Sequence, residues 1–311
     1  MDSTYQNPLD EFELGLGTWS WGDRFVWGYG HGYADDDIRE VFLRSVQGGI
    51  RMLDTAEVYG QGRSEEIIGA LLKETGENVF LATKFMPFPW RLSGKSLLSA
   101  LRKSLGRLGL QSVDLYQIHW PWPPVTVETW MAAMVEAQHQ GLIRAIGVSN
   151  YSLEQMRRAH DYLAKNGLRL ASNQVEYHLL NRDVETNGVL QYCQEHNIRL
   201  IAYSPLAMGI LTGKYTPENP PKGIRGNRYN RRTLAQIKPL LDMLARIGQD
   251  HEGKSAGQVA LNWVIRKGGL AIPGAKNLKQ MTQNEGALGW ELTSSEINNL
   301  DEMSRKVLKN G

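Results

Sequence analysis

Short apolar runs alternate with longer stretches of helical period from residue 36 onward. Eight of the apolar runs have the length and composition of β-strands. An alternation of buried strands and amphipathic helices is typical of repeated βα units, whose strands lie parallel in one sheet. The predicted strands span residues 14–19, 50–55, 79–84, 113–119, 143–149, 171–177, 198–204 and 270–274.

Four stretches between these strands carry apolar residues at helical spacing. One follows Ser255, and another follows Ser64, which we interpret as a helix cap with Glu65 and Glu66 in the first turn. Eight βα units of this length are expected to close into an α/β fold of the (β/α)8 or TIM barrel type, and we expect residues 1–311 to form a single barrel domain. The apolar stripes, which we assign to the core, are Ile38, Val41, Phe42 and Val46; Ile67, Ile68, Leu71 and Leu72; Leu97, Leu98, Leu101, Leu105 and Leu108; and Val259, Ala260, Trp263 and Val264.

One segment departs from this alternation of strands and helices. Residues 214–232, KYTPENPPKGIRGNRYNRR, are rich in proline, glycine and basic residues and follow the seventh strand. Because βα material continues beyond it, we interpret this segment as a long functional loop and not as a linker between domains.

Composition limits the classes of partner. Hydrophobic residues make up 41% and charged residues 22% of the chain, which is typical of a soluble globular protein. The 35 Lys and Arg residues against 33 Asp and Glu residues leave a net charge of +2, so no broad positive field favours nucleic acid or an anionic membrane. Any anion must therefore be bound by local groups.

Cysteine, histidine and the N-terminal segment bear on compartment and metal. The single cysteine, Cys193, cannot form an internal disulfide and fits a reducing compartment, and the seven scattered histidines predict no metal site. Residues 1–15 are polar and acidic, without the apolar run of a signal peptide or membrane span. We expect a cytoplasmic protein, although a cleaved organelle transit peptide would leave no trace in a mature chain.

Two glycine-containing stretches imitate phosphate-binding motifs. Gly60-Gln61-Gly62 gives G-x-G, but Glu65 stands where a dinucleotide-binding turn needs its third glycine. Gly94-Lys95-Ser96 imitates the end of a P-loop, but Pro89 stands where that motif needs its first glycine. We therefore expect neither a Rossmann site nor a P-loop.

Four polar residues stand at or just after predicted strand ends, where a barrel carries its catalytic groups. Asp54 ends the second strand, Tyr59 lies in the following loop, Lys84 ends the third strand and His119 ends the fourth. Each residue alone has a structural explanation, as a capping acceptor, a packed ring, a surface cation or a hydrogen-bonded core histidine. Four complementary groups on adjacent strands favour a shared chemical role.

That role is proton donation. A tyrosine hydroxyl has an ordinary pKa of about 10, and a nearby cation lowers it. Lys84 can supply the cation, Asp54 can hold Lys84 in place, and His119 can hydrogen-bond and orient a carbonyl oxygen. The four groups predict protonation of an alkoxide as it forms. Since they include no nucleophile, the second reactant must come from a cofactor.

Longer phrases around these residues resemble the aldo-keto reductase superfamily. The resemblance runs from about residue 13 to about residue 305 and is closest to bacterial, cyanobacterial and plant-plastid reductases and to potassium-channel β-subunits. It implies a monomeric (β/α)8 barrel that binds NADPH in extended form without a Rossmann domain. The phrases are LDTAEVYGQGRSEEIIGALL at 53–72, IRAIGVSNYS at 143–152, SPLAMGILTGKY at 204–215 and IPGAKNLKQMTQN at 272–284.

The resemblance also implies a role for individual residues. Tyr59 would be the general acid, with Lys84 and Asp54 lowering its pKa and His119 orienting the carbonyl group. Tyr203 would stack on the nicotinamide ring. The residues implied to hold the nicotinamide carboxamide are Ser149, Asn150 and Gln174, and Thr18, Trp19 and Gly274 also belong to the implied cofactor site.

The phosphate and adenine end follows from the same resemblance. A 2′-phosphate needs concentrated local cations, which Lys214, Arg225 and Lys276 can provide, so NADPH is favoured over NADH. Residues 214–232 are expected to cover the cofactor. The residues implied to wrap the pyrophosphate are Ser204, Pro205, Leu206, Gly209 and Lys214, and those implied at the adenosine phosphate are Arg225, Lys276, Gln280, Gln283 and Asn284. Many relatives carry Glu-Asn where this chain has Gln283-Asn284, and many carry Arg at the position of Gln280.

Tryptophans crowd the loops near the expected mouth of the barrel, at Trp19, Trp21, Trp27, Trp90, Trp120 and Trp122. Packing beneath long loops is the alternative explanation for any one of them. We assign Trp19, Trp90 and Trp120 to the substrate site, with Trp120 directed to the mouth by the preceding His119. An apolar, aromatic-lined site suits aldehydes and activated ketones, among which pyridoxal, sugar-derived aldehydes and lipid-peroxidation aldehydes are all compatible.

The sequence therefore predicts an NADPH-dependent reductase of small carbonyl compounds. One alternative is a redox-sensing regulatory module that holds NADPH tightly and turns over slowly, like the channel β-subunits. Another is a barrel hydrolase that uses Asp54 or Glu57 with a metal, but neither a second acid nor a histidine cluster accompanies these residues.

Overall fold

The computed structural model describes residues 6–309. Eight parallel strands follow one another around one sheet in chain order. Isolated bridges from Leu14 to Ala271 and from Gly17 to Gly274 join the last strand back to the first. The expected (β/α)8 barrel is confirmed. Its strands are β1 Leu16–Gly17, β2 Met52–Asp54, β3 Phe80–Phe85, β4 Val113–Ile118, β5 Ile143–Ser149, β6 Leu170–Glu176, β7 Arg199–Tyr203 and β8 Leu270–Ile272.

The helices surround this sheet and begin where local signals favour them. Ser255, for example, caps its helix by accepting the Gln258 backbone N–H, and the Gln258 side chain closes a capping box. The described helices are α1 Asp35–Gln47, α2 Arg63–Thr75, α3 Gly94–Leu108, α4 Val127–His139, α5 Leu153–Lys165, α6 Asp183–Thr186, α7 Val189–Glu195, α8 Ile224–Arg228, α9 Arg231–Asp250, α10 Ala256–Arg266, α11 Leu278–Glu285 and α12 Ser294–Lys309. None of the helices within residues 6–309 combines the length and apolarity that crossing a bilayer requires.

The predicted cap at Ser64 was wrong. Helix α2 begins after Gly62, which adopts a left-handed conformation, and Ser64 lies inside the helix. Its buried hydroxyl lies 2.9 Å from the hydroxyls of Thr18 and Thr55 and donates to the Thr18 carbonyl oxygen. This hydroxyl cluster ties the start of α2 to the ends of β1 and β2, where the predicted catalytic residues begin.

The basic segment 214–232 is not loop throughout. It contains the short helix α8, and its last two residues, Arg231 and Arg232, form the start of α9. Helix α9 begins at Arg231 because Asn230 is its N-cap, with a side chain that accepts the Thr233 backbone N–H.

The barrel has two hydrophobic cores. The larger lies between the sheet and the helices, and the smaller fills the barrel interior around Met52, Leu115 and Ile201. Leu9, which precedes β1, packs into the interior core, and the Asn7 side chain donates to the carbonyl oxygens of Ala171 and Asn197. This segment fills the barrel interior from one side, while the carboxyl ends of the strands line a cavity.

Candidate active site

A cavity of about 990 Å³ opens at the carboxyl ends of the strands. Asp54, Ser149 and Tyr203, the last residues of β2, β5 and β7, line it. The structure brings every residue predicted for the cofactor to this wall. These are Thr18, Trp19, Ser149, Asn150, Gln174, Tyr203, Ser204, Pro205, Leu206, Gly209, Lys214, Arg225, Gly274, Lys276, Gln280, Gln283 and Asn284.

Three of the four predicted catalytic residues, Asp54, Tyr59 and His119, line this cavity, and the fourth, Lys84, is buried directly behind them. The Lys84 ammonium is fully buried and donates to Asp54 Oδ2 at 2.5 Å and to the Thr55 carbonyl oxygen at 2.8 Å. Its third contact is the Tyr59 hydroxyl, 3.1 Å away. The His119 ring meets the Tyr59 ring edge to face, with centroids 5.8 Å apart. The arrangement places one cation and one imidazole beside a single phenol.

Two buried amides complete the environment of Asp54. Its Oδ1 accepts from Gln174 Nε2 at 2.7 Å and from Gln117 Nε2 at 3.1 Å. Gln117 lies on β4 and was not singled out from the sequence, although its place two residues before His119 puts its side chain on the same face of the strand. With Lys84 on the other oxygen, both oxygens of the buried carboxylate accept hydrogen bonds.

Burial and charge shift the pKa values of these groups in opposing ways. Burial raises the pKa of Tyr59 and Lys84 lowers it, and the net direction is upward. The net direction is opposite to the sequence expectation, because removing the phenolate from water outweighs the contribution of one ammonium. Burial lowers the pKa of Lys84, but Asp54 and Tyr59 together outweigh burial and raise it. Lys84 therefore remains an ammonium and Tyr59 a phenol at neutral pH.

His119 is neutral under the same conditions. Burial, assisted by the charge of Lys84, lowers its pKa to about 3. A neutral imidazole has one N–H donor, which suits a carbonyl oxygen without delivering a full proton. The backbone oxygen of His119 accepts from Asn150 Nδ2 at 3.1 Å, which ties the end of β4 to the end of β5.

The cavity wall beside the four predicted catalytic residues is polar, and hydrogen bonds hold its side chains in place. Asn150 has a positive φ of 61°, a conformation that asparagine tolerates better than most residues. Its Oδ1 accepts from the Tyr203 hydroxyl at 3.1 Å, and its Nδ2 donates to Ser149 Oγ at 3.0 Å. Ser149 in turn donates to the Gln174 backbone oxygen at 2.9 Å. These bonds fix the side chains that the resemblance assigns to the carboxamide and ring of nicotinamide.

The far end of the cavity concentrates positive charge. Lys276 Nζ lies 4.8 Å from the centre of the Trp27 ring and 4.7 Å from that of Tyr33, and it donates to the Trp27 carbonyl oxygen at 2.7 Å. Arg225 lies 5.5 Å from the Trp27 ring on the same wall. Burial, followed by the charges of Arg225 and Lys214, lowers the pKa of Lys276 to about 8. Clustered cations that lower one another's pKa in this way form a site for an anion.

Aromatic rings form the mouth of the cavity. Trp19 stacks on Tyr59 with centroids 6.1 Å apart and meets Trp27 edge to face at 5.5 Å. Trp120 lines the cavity and stacks on Trp122. Trp90, which the sequence assigned to the substrate, does not line the cavity: it is 73% exposed and stacks on Phe88. The sequence assignment also left out Trp27, which lines the cavity, because nothing in the sequence shows that the loop after β1 folds back to Lys276.

Glu57, one of the acids considered for a hydrolase, forms a structural contact between two loops. Its carboxylate pairs with Arg91 and accepts the Met86 backbone N–H at 2.7 Å, which joins the loops after β2 and β3. Across residues 6–309, no three His, Cys, Asp or Glu side chains are grouped so that they could hold a metal ion.

Comparison with known proteins identifies the family. A model of the Aldo/keto reductase family matches residues 13–305. The chloroplastic pyridoxal reductase of Arabidopsis thaliana is 39% identical over 302 residues, covering 93% of this chain and 82% of that protein. A glycerol dehydrogenase from Gluconobacter oxydans matches with a TM-score of 0.85 and 30% identity, covering 95% of this chain and 92% of its own. An aldo/keto reductase from Klebsiella pneumoniae, solved in complex with NADP and acetate, matches with a TM-score of 0.72 and 29% identity, covering 94% and 91%.

The chain belongs to the Aldo/keto reductase family. It is therefore an enzyme, an oxidoreductase that interconverts carbonyl and hydroxyl groups, and the family resemblance found in the sequence is confirmed.

Proposed function

We propose that this enzyme uses NADPH to reduce aldehydes or activated ketones to alcohols, and that Tyr59 donates the proton. The observation that carries the proposal is the placement of the Tyr59 hydroxyl 3.1 Å from the buried Lys84 ammonium, with Asp54 holding that ammonium from behind. The Tyr59 and His119 side chains both line the cavity, so a carbonyl oxygen can reach them together.

The residues of the cavity fit NADPH. Polar side chains of Asn150 and Gln174 suit an amide, and the partly buried Tyr203 ring suits a flat heterocycle. At the other end, Lys214, Arg225 and Lys276 suit a phosphate ester. NADH lacks the 2′-phosphate that would use these cations, so NADPH is the preferred coenzyme of the proposal. The NADP in the Klebsiella pneumoniae structure supports the same choice.

When bound, the reduced nicotinamide supplies a hydride from its C4 atom to the carbonyl carbon. The role of the protein is to orient the carbonyl and to neutralise the negative charge that develops on its oxygen. His119 donates a hydrogen bond to that oxygen, and Tyr59 transfers its proton to it. Lys84 stabilises the tyrosinate that remains, because its ammonium lies within hydrogen-bond distance of the phenol oxygen.

The raised pKa of Tyr59 suits this sequence of events. A buried phenol keeps its proton until an alkoxide, a much stronger base, forms beside it. The contact with Lys84 then offsets part of the penalty that burial imposes on the tyrosinate. Removal of the ammonium is expected to slow the chemical step more than it weakens substrate binding.

A panel of carbonyl compounds tests the proposal. Loss of the NADPH absorbance is followed with pyridoxal, glyceraldehyde, an aromatic aldehyde and a lipid-derived aldehyde, with NADH in parallel. Pyridoxal and glyceraldehyde are included because relatives are named for pyridoxal and glycerol. Rapid repeated turnover with at least one aldehyde, preferring NADPH, is the expected result. One slow oxidation of bound NADPH, without further turnover, would instead support the redox-sensing alternative.

Two further expectations accompany this proposal. A cytoplasmic location and a monomeric state stay predictions. Size-exclusion chromatography with light scattering measures the second directly.

A further inference from the structure

An ion pair beside the cavity joins two loops, and the proposed mechanism does not use it. Glu57 follows β2 and Arg91 follows β3. The guanidinium binds both carboxylate oxygens, with Nη2 3.0 Å from Oε2 and Nη1 in contact with Oε1. The Glu57 side chain is 8% exposed and the Arg91 side chain 21% exposed. A bidentate pair that is largely shielded from water holds its two partners in one relative orientation.

The pair extends the contact between β2 and β3 beyond the ends of both strands. The Glu57 backbone N–H points to the Lys84 carbonyl oxygen at 3.4 Å, and the Glu57 carboxylate accepts the Met86 backbone N–H at 2.7 Å. Arg91 closes the arrangement by donating to the Met86 carbonyl oxygen at 2.8 Å. The two chain segments therefore stay in register after the regular strand pairing has ended.

The proposed proton donor and its ammonium lie on these two segments. Tyr59 is two residues after Glu57, and Lys84 is two residues before Met86. The Tyr59 hydroxyl lies 3.1 Å from the Lys84 ammonium, near the upper limit for a hydrogen bond between nitrogen and oxygen. A small displacement of one segment relative to the other would therefore break this contact.

The guanidinium of Arg91 is itself held by aromatic packing. Its centre lies 5.0 Å from the centre of the Phe85 ring and 5.3 Å from that of Phe88. A planar guanidinium can stack on rings and bind a carboxylate through two bonds at once, which an ammonium cannot do. Neither Arg91 nor Glu57 lines the cavity, so both act on a ligand only through the segments that they join.

We propose that Arg91 is a positioning residue for proton transfer, which acts through Glu57 to keep the Tyr59 hydroxyl in contact with the Lys84 ammonium. The inference rests on the proposed role of Tyr59 as proton donor. Because the pair lies outside the cavity, the chemical step should depend on it and coenzyme binding should not. A pair with a merely structural role would change the stability of the protein and leave the rates of the folded enzyme unchanged.

Single-turnover kinetics of aldehyde reduction by Arg91→Met test the inference, with NADPH affinity measured by fluorescence titration. Methionine keeps an unbranched apolar stem beside the two rings but removes both bonds to the carboxylate. We expect the single-turnover rate to fall by about ten- to a hundredfold, with the Kd of NADPH within about twofold of wild type. Arg158→Met is the matched control and should keep the wild-type rate, because Arg158 forms a bidentate pair with Glu128 between α4 and α5, on the exposed side of the helices.

The pH dependence of alcohol oxidation by NADP⁺ gives a readout that a structural role would not move. In that direction Tyr59 accepts a proton, and its contact with Lys84 favours the tyrosinate. The titratable groups that face Tyr59 are Asp54, Lys84, His119 and Tyr203. Loosening the contact with Lys84 raises the pKa of Tyr59, so the apparent pKa of oxidation should move upward in Arg91→Met and stay in place in Arg158→Met.

Two conservative variants extend the test and cover the possibility that Arg91→Met does not fold. Arg91→Lys retains a cation that can form one bond to Glu57, so it should recover part of the lost rate. Glu57→Gln keeps the shape of the side chain and an oxygen that can accept the Met86 N–H, but it removes the ion pair. Its single-turnover rate should fall in the same direction as that of Arg91→Met.

The possible outcomes separate this inference from the proposed function. An unchanged single-turnover rate and pH profile in folded Arg91→Met, or in Glu57→Gln if only that variant folds, would overturn the inference. Weaker NADPH binding with an unchanged rate would overturn it as well. If wild-type protein reduced no carbonyl compound of the panel, the proposed function would fail and the inference with it. Normal turnover by wild-type protein, matched by Arg91→Met, would refute only the role of Arg91.

Discussion

Replacement of Lys276 by methionine isolates the contribution of one cation to coenzyme choice. Methionine retains an unbranched stem between the rings of Trp27 and Tyr33 but removes the ammonium. A hydrogen bond to a charged group contributes about 1.5–3 kcal/mol, and the lower value applies because Lys276 is only half-buried. Loss of about 1.5 kcal/mol corresponds to roughly tenfold weaker binding of NADPH. NADH lacks the 2′-phosphate, so its binding should change little.

The assay is the dissociation constant of each coenzyme, measured by tryptophan fluorescence at several pH values. The pKa of Lys276 is about 8, so wild-type protein should hold its NADPH preference below pH 8 and lose part of it as pH rises through that value, because the ammonium becomes a neutral amine. Lys276→Met should lack this step. Lys238→Met is the matched control, since Lys238 pairs with Asp242 on the surface of α9. An unchanged ratio of NADPH to NADH affinity in Lys276→Met would refute the assignment.

Two further predictions concern the buried ion pair and the mouth of the cavity. Lys84→Met leaves the Asp54 carboxylate buried without its cation and should lower the free energy of unfolding by about 3–5 kcal/mol in urea titrations, whereas combining it with Asp54→Asn should recover part of that loss. Equal stability of the single and double variants would contradict the pairing. Trp120→Ala should raise KM for aromatic aldehydes several-fold, while Trp90→Ala should leave it unchanged, because Trp120 lines the cavity and Trp90 does not. Similar KM effects from both variants would contradict the assignment of Trp120, and not Trp90, to the mouth of the cavity.

Local patterns in the sequence were sufficient for the barrel and for the four predicted catalytic residues, whereas the cofactor residues were assigned through the family resemblance. Apolar runs located all eight strands, because each strand is buried between an interior core and a ring of helices. Once the strands are placed, parallel pairing brings their carboxyl ends to one edge, so Asp54, Lys84 and His119 had to meet there. Their contacts with Tyr59 could then be anticipated from chemistry alone.

Features that depend on distant contacts could not be anticipated in the same way. Ser64 has the residue type and position of a helix cap, but hydroxyls from β1 and the end of β2 occupy its side chain instead. The role of Gln117 could not be predicted from its place in a strand, because its partner Gln174 lies far away in the chain and meets it only in the folded barrel. The net pKa of Tyr59 depends on the degree of burial, which the sequence does not state.

The most direct test of the account is turnover by Tyr59→Phe. The phenylalanine ring keeps its packing against Trp19 and His119, so NADPH should bind with nearly wild-type affinity. Without the hydroxyl, kcat for the best aldehyde should fall by about 10²–10⁴, the usual contribution of a positioned general acid. Reduction of that aldehyde at close to the wild-type rate would show that another group delivers the proton.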